Sequence, residues 1–276
     1  VLAATVVAFP LMFQSARAAF EKVPLALEEA AASMGNTPWQ TFRKVSLPLA
    51  KNGLLAGFVL SFARALGVDP SQVRGHSLLE GSPDPGLVEA SDALLVGGSG
   101  QFSVLDEEGW VHSFVDFLAD VVVAQRKATF ASCFGFQGLV LAGGGVVVCD
   151  KENAEVGTFD MTLNQAGIED PLFSGMPRVC KVQLGHKDRA DSLPHGMVNL
   201  ASTQRSPYQA LRVEGTSIVA TQFHPELAKQ DNIDRYLRYW EEYGSGDPGC
   251  DPVMQSMADS PEASALLPRW ATEELD

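Results

Sequence analysis

Phe130-Ala131-Ser132-Cys133-Phe134-Gly135-Phe136-Gln137-Gly138 is an apolar run with a cysteine among small residues, and 91 residues after that cysteine stands His224, within Gln222-Phe223-His224-Pro225-Glu226. An apolar strand that ends at such a cysteine and continues as a helix is the pattern of a nucleophile elbow, a tight turn that lifts one side chain out of the sheet. The helix N-terminus beneath it carries partial positive charge and lowers a thiol pKa, and the thiolate is the nucleophilic form. A base is also required. His224 supplies an imidazole, and Glu226 two positions on supplies a carboxylate to orient it. Taken singly, each residue has a plainer reading: a lone cysteine in an apolar run is a small buried hydrophobe, and a histidine before proline closes a turn. The two together, in this order, point to thiol chemistry.

The elbow, with small Ala131, Cys133, Gly135 and Gln137 at alternate positions, and the later His224-Pro225-Glu226 resemble the class I glutamine amidotransferase domain, most closely its stand-alone, GMP-synthase-like branch. The resemblance implies Cys133, His224 and Glu226 as the catalytic triad. It also implies an oxyanion strand at Ser91–Gly100, where a short apolar run enters a glycine-rich turn. Gly97, Gly98 and the backbone N–H of Phe134 are then the oxyanion donors, with Gln137 beside the substrate. Each such donor lowers a barrier by roughly 3 kcal/mol. Asp170-Pro171-Leu172-Phe173, Leu184-Gly185-His186-Lys187-Asp188 and Leu193-Pro194-His195-Gly196 follow in the family's order. His186 and His195 fall outside the triad, and His186 reads as structural or substrate-adjacent. Two positions depart from the pattern: Ala131 stands where the family usually has glycine, and Phe136 where it often has His or Met, reshaping the pocket beside Gln137.

Charge divides the chain. Residues 1–66 carry a net charge of +3 and the remainder −17, within a total of −14. Such asymmetry suggests two segments of different origin, and an acidic body argues against a nucleic-acid partner. In the basic segment, Glu29-Ala30-Ala31, Gly35 and Val45-Ser46-Leu47-Pro48 are spaced as in the EAA loop of ABC importer permeases, and the stretch resembles the molybdate importer subunit. That resemblance implies a helix-turn-helix at residues 28–48 that docks on an ABC ATPase, with Trp39 and Phe42 near the coupling surface. The apolar flanks Val1–Phe13 and Gly53–Ala63 read as ends of membrane helices, but neither approaches the roughly 20 residues of a full span. The segment therefore reads as a truncated permease piece joined near residues 61–67. Residues 1–60 are expected to supply no sheet strand, so that deleting them costs little stability.

The body alternates α and β patterns. Asp106–Gln125 places Trp110, Phe114, Phe117, Leu118 and Val121 at helical spacing, which reads as a core face. Val146–Cys149, Arg178–Leu184, Met197–Ala201, Tyr208–Val213 and Ser217–Phe223 are β-prone runs between turn residues, and Asp231–Tyr243 is a closing helix. After Gly244 the content of Gly, Pro, Asp and Ser predicts a loosely ordered tail with one short helix. Cys133, Cys149, Cys180 and Cys250 have no metal-binding spacing, and a thiolate nucleophile suits a reducing cytoplasm.

The expected architecture is α/β, a mostly parallel sheet flanked by helices in the flavodoxin-like amidotransferase fold, preceded by a short all-α permease fragment. The expected boundaries are 1–66, 67–243 and a tail at 244–276. The expected function is thiol hydrolysis of a γ-glutamyl amide without metal or cofactor. The partners are a small γ-glutamyl substrate, an ammonia-acceptor synthetase and an ABC ATPase. The catalytic part is cytoplasmic, with inner-membrane association through the N-terminal segment. The alternatives are a γ-glutamyl peptidase, a transporter subunit that only docks its ATPase, and a catalytically silent binding module.

Overall fold

Leu94–Val96, Thr129–Ser132 and Ile218–Thr221 are buried at every position, as strands covered on both faces must be. They form the centre of a sheet in a computed structural model that describes residues 2–5, 23–46, 63, 66–78, 81–99, 102–238, 240 and 250–275. The elements begin with β1 (Leu2–Thr5), α1 (Leu25–Ser33), α2 (Pro38–Thr41), β2 (Val73–His76), α3 (Pro85–Glu89), β3 (Leu94–Val96), α4 (Gly109–Phe117), β4 (Thr129–Ser132) and α5 (Phe134–Ala142). Next come β5 (Val146–Cys149), β6 (Glu155–Leu163), α6 (Gln165–Glu169), β7 (Val179–His186), β8 (Asp188–Ser192), β9 (Met197–Ser202), β10 (Ala210–Val213) and β11 (Ile218–Thr221). The chain closes with α7 (Lys229–Arg238), α8 (Pro252–Ser256), α9 (Pro261–Ser264) and α10 (Leu266–Glu273).

Among the described residues, nine strands form one sheet in the order β2-β1-β3-β4-β11-β10-β9-β6-β7. Neighbours from β2 to β11 run parallel; those from β11 to β7 run antiparallel. Side chains alternate between two cores, as the strand period of two requires. Leu94, Val96, Ala131, Ile218 and Ala220 face Phe114, Phe117 and Leu139. Leu95, Phe130 and Val219 face Phe173, Leu266 and Trp270. The expected helical face at 106–125 is α4 followed by a wider π-type turn at Leu118–Val123, with Phe114, Phe117 and Leu118 buried.

The N-terminal segment supplies a strand after all. Leu2–Thr5 pairs with β2 on one side and β3 on the other, so removing it would open an edge on β3 next to the site. The EAA-like stretch is a helix-turn-helix: α1 and α2 meet at Gly35 with φ +84°, a backbone conformation that suits glycine. Thr37 and Gln40 form a capping box at the start of α2, and Ser46 Oγ donates to Glu28 Oε1 at 2.6 Å, closing the second arm onto the first. Trp39 is exposed and stacks on Phe42. Leu47, Pro48 and most of the apolar flanks lie outside the described residues. Among those described, no helix is long and apolar enough to cross a membrane.

The C-terminal residues are likewise not a loose tail. Trp270 is fully buried, meets Phe130 edge-on at 5.7 Å and donates Nε1 to Ser217 O at 3.2 Å. Glu274 joins Asp170 around the Arg212 guanidinium. Gln183 Nε2 donates to Ala258 O and Ser260 Oγ. Two strands absent from the sequence reading, β6 and β8, complete the antiparallel part of the fold. Truncating a buried tryptophan costs about 3–5 kcal/mol, so Trp270→Ala should lower the urea midpoint of unfolding by a matching amount. A change within about 0.5 kcal/mol, the usual effect at a surface position, would show that the tail is not part of the core.

Candidate active site

β4 ends at Ser132, and the chain turns at Cys133 with φ +52° and ψ −101° before α5 begins at Phe134. Few non-glycine residues adopt positive φ, and those that do mark turns or stored strain. The turn is held on three sides. Cys133 N–H donates to Thr221 O at 2.8 Å, Gln137 N–H donates to Cys133 O at 3.0 Å, and Gly135 lies against β3. A Cβ on Gly135 would come within 2.7 Å of Val96 O, so only glycine lets the first turn of α5 approach the sheet this closely. The amides of that first turn lack carbonyl partners one turn earlier within the helix. Phe134, which carries one of them, is buried and stacked on Trp110 and Phe114.

Beyond β11, His224 N–H donates to Gln183 O at 3.0 Å, and His224 Nδ1 lies 2.7 Å from Glu226 Oε1. Both side chains are almost wholly buried. His224 Nε2 has no hydrogen-bond partner among the described residues and faces the thiol side. Gly98, in the turn after β3, fixes the convergence. A Cβ there would stand 2.6 Å from His224 Cε1, 3.2 Å from Cys133 Cβ and 3.5 Å from His224 Nε2. Cysteine, imidazole and glycine turn thus meet at one point, and Gly97 precedes them, also buried.

The electrostatics follow from this geometry. Burial pushes the Cys133 thiol pKa up, but the adjacent His224, with a smaller contribution from Arg235, outweighs burial and holds it below the ordinary thiol value. Burial pulls the His224 imidazole down, while Glu226 and then Cys133 more than reverse this, raising it to about 9. Each group thereby favours the charged form of the other, thiolate beside imidazolium. Cys180, buried without a cation, is pushed up to about 11, and Cys149 is raised by its contact with Asp188.

The remaining predicted positions divide. Gln137 is buried and donates Nε2 to Asp188 O at 2.7 Å and to Gln222 Oε1 at 3.3 Å, tying α5 to β8. His186 is buried on β7, with Nε2 3.1 Å from Glu155 Oε2 and Nδ1 3.0 Å from Asp188 O, contacts that tie β7 to β6 and β8. Arg235 on α7 was not distinguished by the sequence pattern. Its guanidinium lies over Gly185, donating Nη2 to Gly185 O at 3.1 Å, and its charge reaches both Cys133 and His224. No local motif marks it, because its position depends on α7 crossing β7. Among the described residues, no cluster of three or more His, Cys, Asp or Glu could hold a metal.

Residues 63–240 match glutamine amidotransferase class-I, and residues 1–68 match binding-protein-dependent transport system inner membrane component. A GMP synthase [glutamine-hydrolyzing] of Thermosipho africanus is 29% identical over 145 residues, 52% of this chain and 26% of that protein. The molybdenum transport system permease protein ModB of Escherichia coli is 48% identical over 67 residues, 24% of this chain and 29% of that protein. The chain thus spans under a third of the length of either relative. Among solved structures, a glutamine amidotransferase from Thermotoga maritima superposes with a TM-score of 0.61 at 17% identity, over 78% of this chain and 90% of that one. Another, from Methylobacillus flagellatus, gives 0.59 at 20% identity over 78% and 85%; at such identities the likeness is one of fold. With its family match covering more than half the sequence, the chain belongs to the class I glutamine amidotransferases, and its first 68 residues match an ABC-importer permease family.

Proposed function

We propose that residues 67–243 hydrolyse a γ-glutamyl amide, converting glutamine to glutamate and ammonia. The observation that carries this reading is the convergence of Cys133, His224 and Gly98, with Glu226 behind the imidazole. Cys133 Sγ, as thiolate, attacks the γ-carbonyl carbon and a C–S bond forms. The negative charge that develops on the carbonyl oxygen is met by backbone N–H groups at Gly98 and Phe134. His224 Nε2 gives its proton to the amide nitrogen, the C–N bond breaks, and ammonia leaves. A water molecule then attacks the thioester, returning a proton to His224, and the C–S bond breaks to release glutamate. Glu226 orients the imidazole and stabilises its cation throughout. Gln137 acts in this scheme by fixing α5 beneath the nucleophile.

The name of the Thermosipho relative, a glutamine-hydrolysing GMP synthase, supports an ammonia-acceptor synthetase as the partner of this domain. For the N-terminal segment we propose docking to an ABC ATPase through residues 28–48 and association with the inner membrane, with the catalytic domain on the cytoplasmic side. The exposed Leu25, Leu27, Met34 and Trp39 on α1, α2 and their turn support that second reading.

In a glutaminase assay, Cys133→Ala and His224→Ala should each lose about a hundredfold to ten-thousandfold in kcat, Glu226→Gln should keep measurable turnover, and His195→Ala should keep most of it. A live His224→Ala enzyme beside a dead His195→Ala enzyme would overturn the assignment. Gly98→Ala tests the convergence itself. Its added methyl must displace His224, and misplacement on the scale of 1 Å costs about a hundredfold. Full activity in that variant would show that the imidazole does not approach the glycine turn.

A further inference from the structure

Glu155, fully buried at the start of β6, is an acidic side chain that neither the triad nor the two cores use. Its Oε2 accepts from Gln209 Nε2 at 2.6 Å and lies 3.1 Å from His186 Nε2, while Oε1 has no partner among the described residues. From His186 the contacts continue: Nδ1 lies 3.0 Å from Asp188 O, and the same carbonyl accepts from Gln137 Nε2 at 2.7 Å. A carbonyl oxygen only accepts, so His186 carries a hydrogen on Nδ1. Gln137 Nε2 also donates to Gln222 Oε1 at 3.3 Å, and the Gln222 backbone N–H donates to Gln209 O at 2.8 Å. The path has returned to its start. Gln209, Glu155, His186, Asp188, Gln137 and Gln222 form a closed circuit of hydrogen bonds, and every one of them is buried.

The circuit joins the two halves of the reacting pair. Gln137 lies one helical turn after Cys133, whose carbonyl accepts its N–H. Gln222 lies two residues before His224, on the segment that leaves β11. Between Gln137 and Gln222 the direct link is a single bond of 3.3 Å, long for an N–H···O contact. The other way round runs through Asp188, His186, Glu155 and Gln209, and it fixes the same separation from the far side. A buried carboxylate–imidazole pair is weak support for stability. A buried polar network with its members bonded to one another instead rigidifies its surroundings and specifies one arrangement.

Resting on the triad of the γ-glutamyl reading, though not on its substrate, we infer that Glu155 is a positioning residue for the Cys133–His224 pair. Through His186 and Asp188 O on one side and Gln209 on the other, it holds the elbow helix and the segment that carries the base at a fixed distance. The consequence is electrostatic. At an effective dielectric constant of about 20, drawing a thiolate and an imidazolium apart from about 4 Å to about 6 Å weakens their attraction enough to lower the thiolate equilibrium about tenfold.

The test follows alkylation of Cys133 by iodoacetamide against pH in the full chain, with mass spectrometry to separate the sites and buried Cys180 as the internal reference. Glu155→Leu, which opens the circuit, should move the Cys133 profile upward, toward that of His224→Ala, and cut its rate at neutral pH about tenfold. Glu155→Gln keeps a donor and an acceptor and should lose less. A residue that only stabilised the fold would change the unfolding midpoint and leave this profile in place. Gln222→Met opens the circuit at a residue whose side chain shares no bond with Glu155, and its loss should match. The double variant should stay within about twofold of either, because an open circuit is not opened again, whereas independent effects would multiply to about a hundredfold. A Cys133 profile unmoved by Glu155→Leu, or multiplied losses in the double variant, would overturn the inference. If Cys180 in Glu155→Leu alkylates as fast as in the urea-unfolded chain, that variant has lost its fold and Gln222→Met alone decides, supporting the inference with a matching loss and overturning it without one. Glutamine turnover is measured alongside: a protein with the profile shift but no glutaminase activity keeps the positioning role and loses the γ-glutamyl reading.

Discussion

Cys133 is held at φ +52°, a conformation that costs a non-glycine residue about 1–3 kcal/mol and persists only where the surroundings over-determine it. Those surroundings are β4 clamped in parallel between β3 and β11, the bond from Cys133 N–H to Thr221 O, and α5 pressed onto Val96 at Gly135. The strain places the sulfur above a helix N-terminus and under an imidazole.

The rest of the fold supplies the second half of the pair. His224 follows β11 directly, and its backbone is anchored to β7 through Gln183 O, so elbow and base are positioned by different parts of one sheet. Gln183 also binds Asn232 on α7 and Ala258 and Ser260 beyond it. The C-terminal helices therefore brace the strand that holds the base, while Trp270 packs on the strand that carries the nucleophile. A buried polar tie from Gln137 to Asp188 O, and from there to His186 and Glu155, links the elbow helix to the antiparallel side.

The site was legible where chemistry and chain geometry require the same residues. Cys133 between small residues, Gly98 after an apolar strand and Glu226 two positions beyond His224 are local patterns, and the fold brings these candidate residues together. What was missed depends on tertiary context. β8 reads Asp-Arg-Ala-Asp-Ser and β6 carries Glu155, Gly157 and Asp160, so neither looks like a strand until its partner is known. Leu2–Thr5 lies in a run that is apolar but for Thr5, and periodicity alone cannot tell such a run from part of a helix. After residue 244, the Gly, Pro, Asp and Ser content suggested loose chain, yet Asp251-Pro252 and Ser260-Pro261 are helix starts with proline in the first turn, and Asp251 caps its helix by accepting from Val253 N–H and Met254 N–H. Leu266, Leu267 and Trp270 then supply the buried face.

The central claim is that Cys133 and His224 rest as a thiolate–imidazolium pair, and the pH dependence of alkylation measures it most directly. With its pKa held down by His224, Cys133 should react with iodoacetamide near its plateau rate already below the ordinary thiol range, and His224, protonated up to about 9, keeps the pair charged across neutral pH. Cys180, pushed up to about 11, serves as the unassisted reference within the same molecule. His224→Ala should move the Cys133 profile upward, because burial then acts unopposed by the imidazolium. A Cys133 profile with its midpoint near 9 or above, unmoved by His224→Ala, would contradict the account.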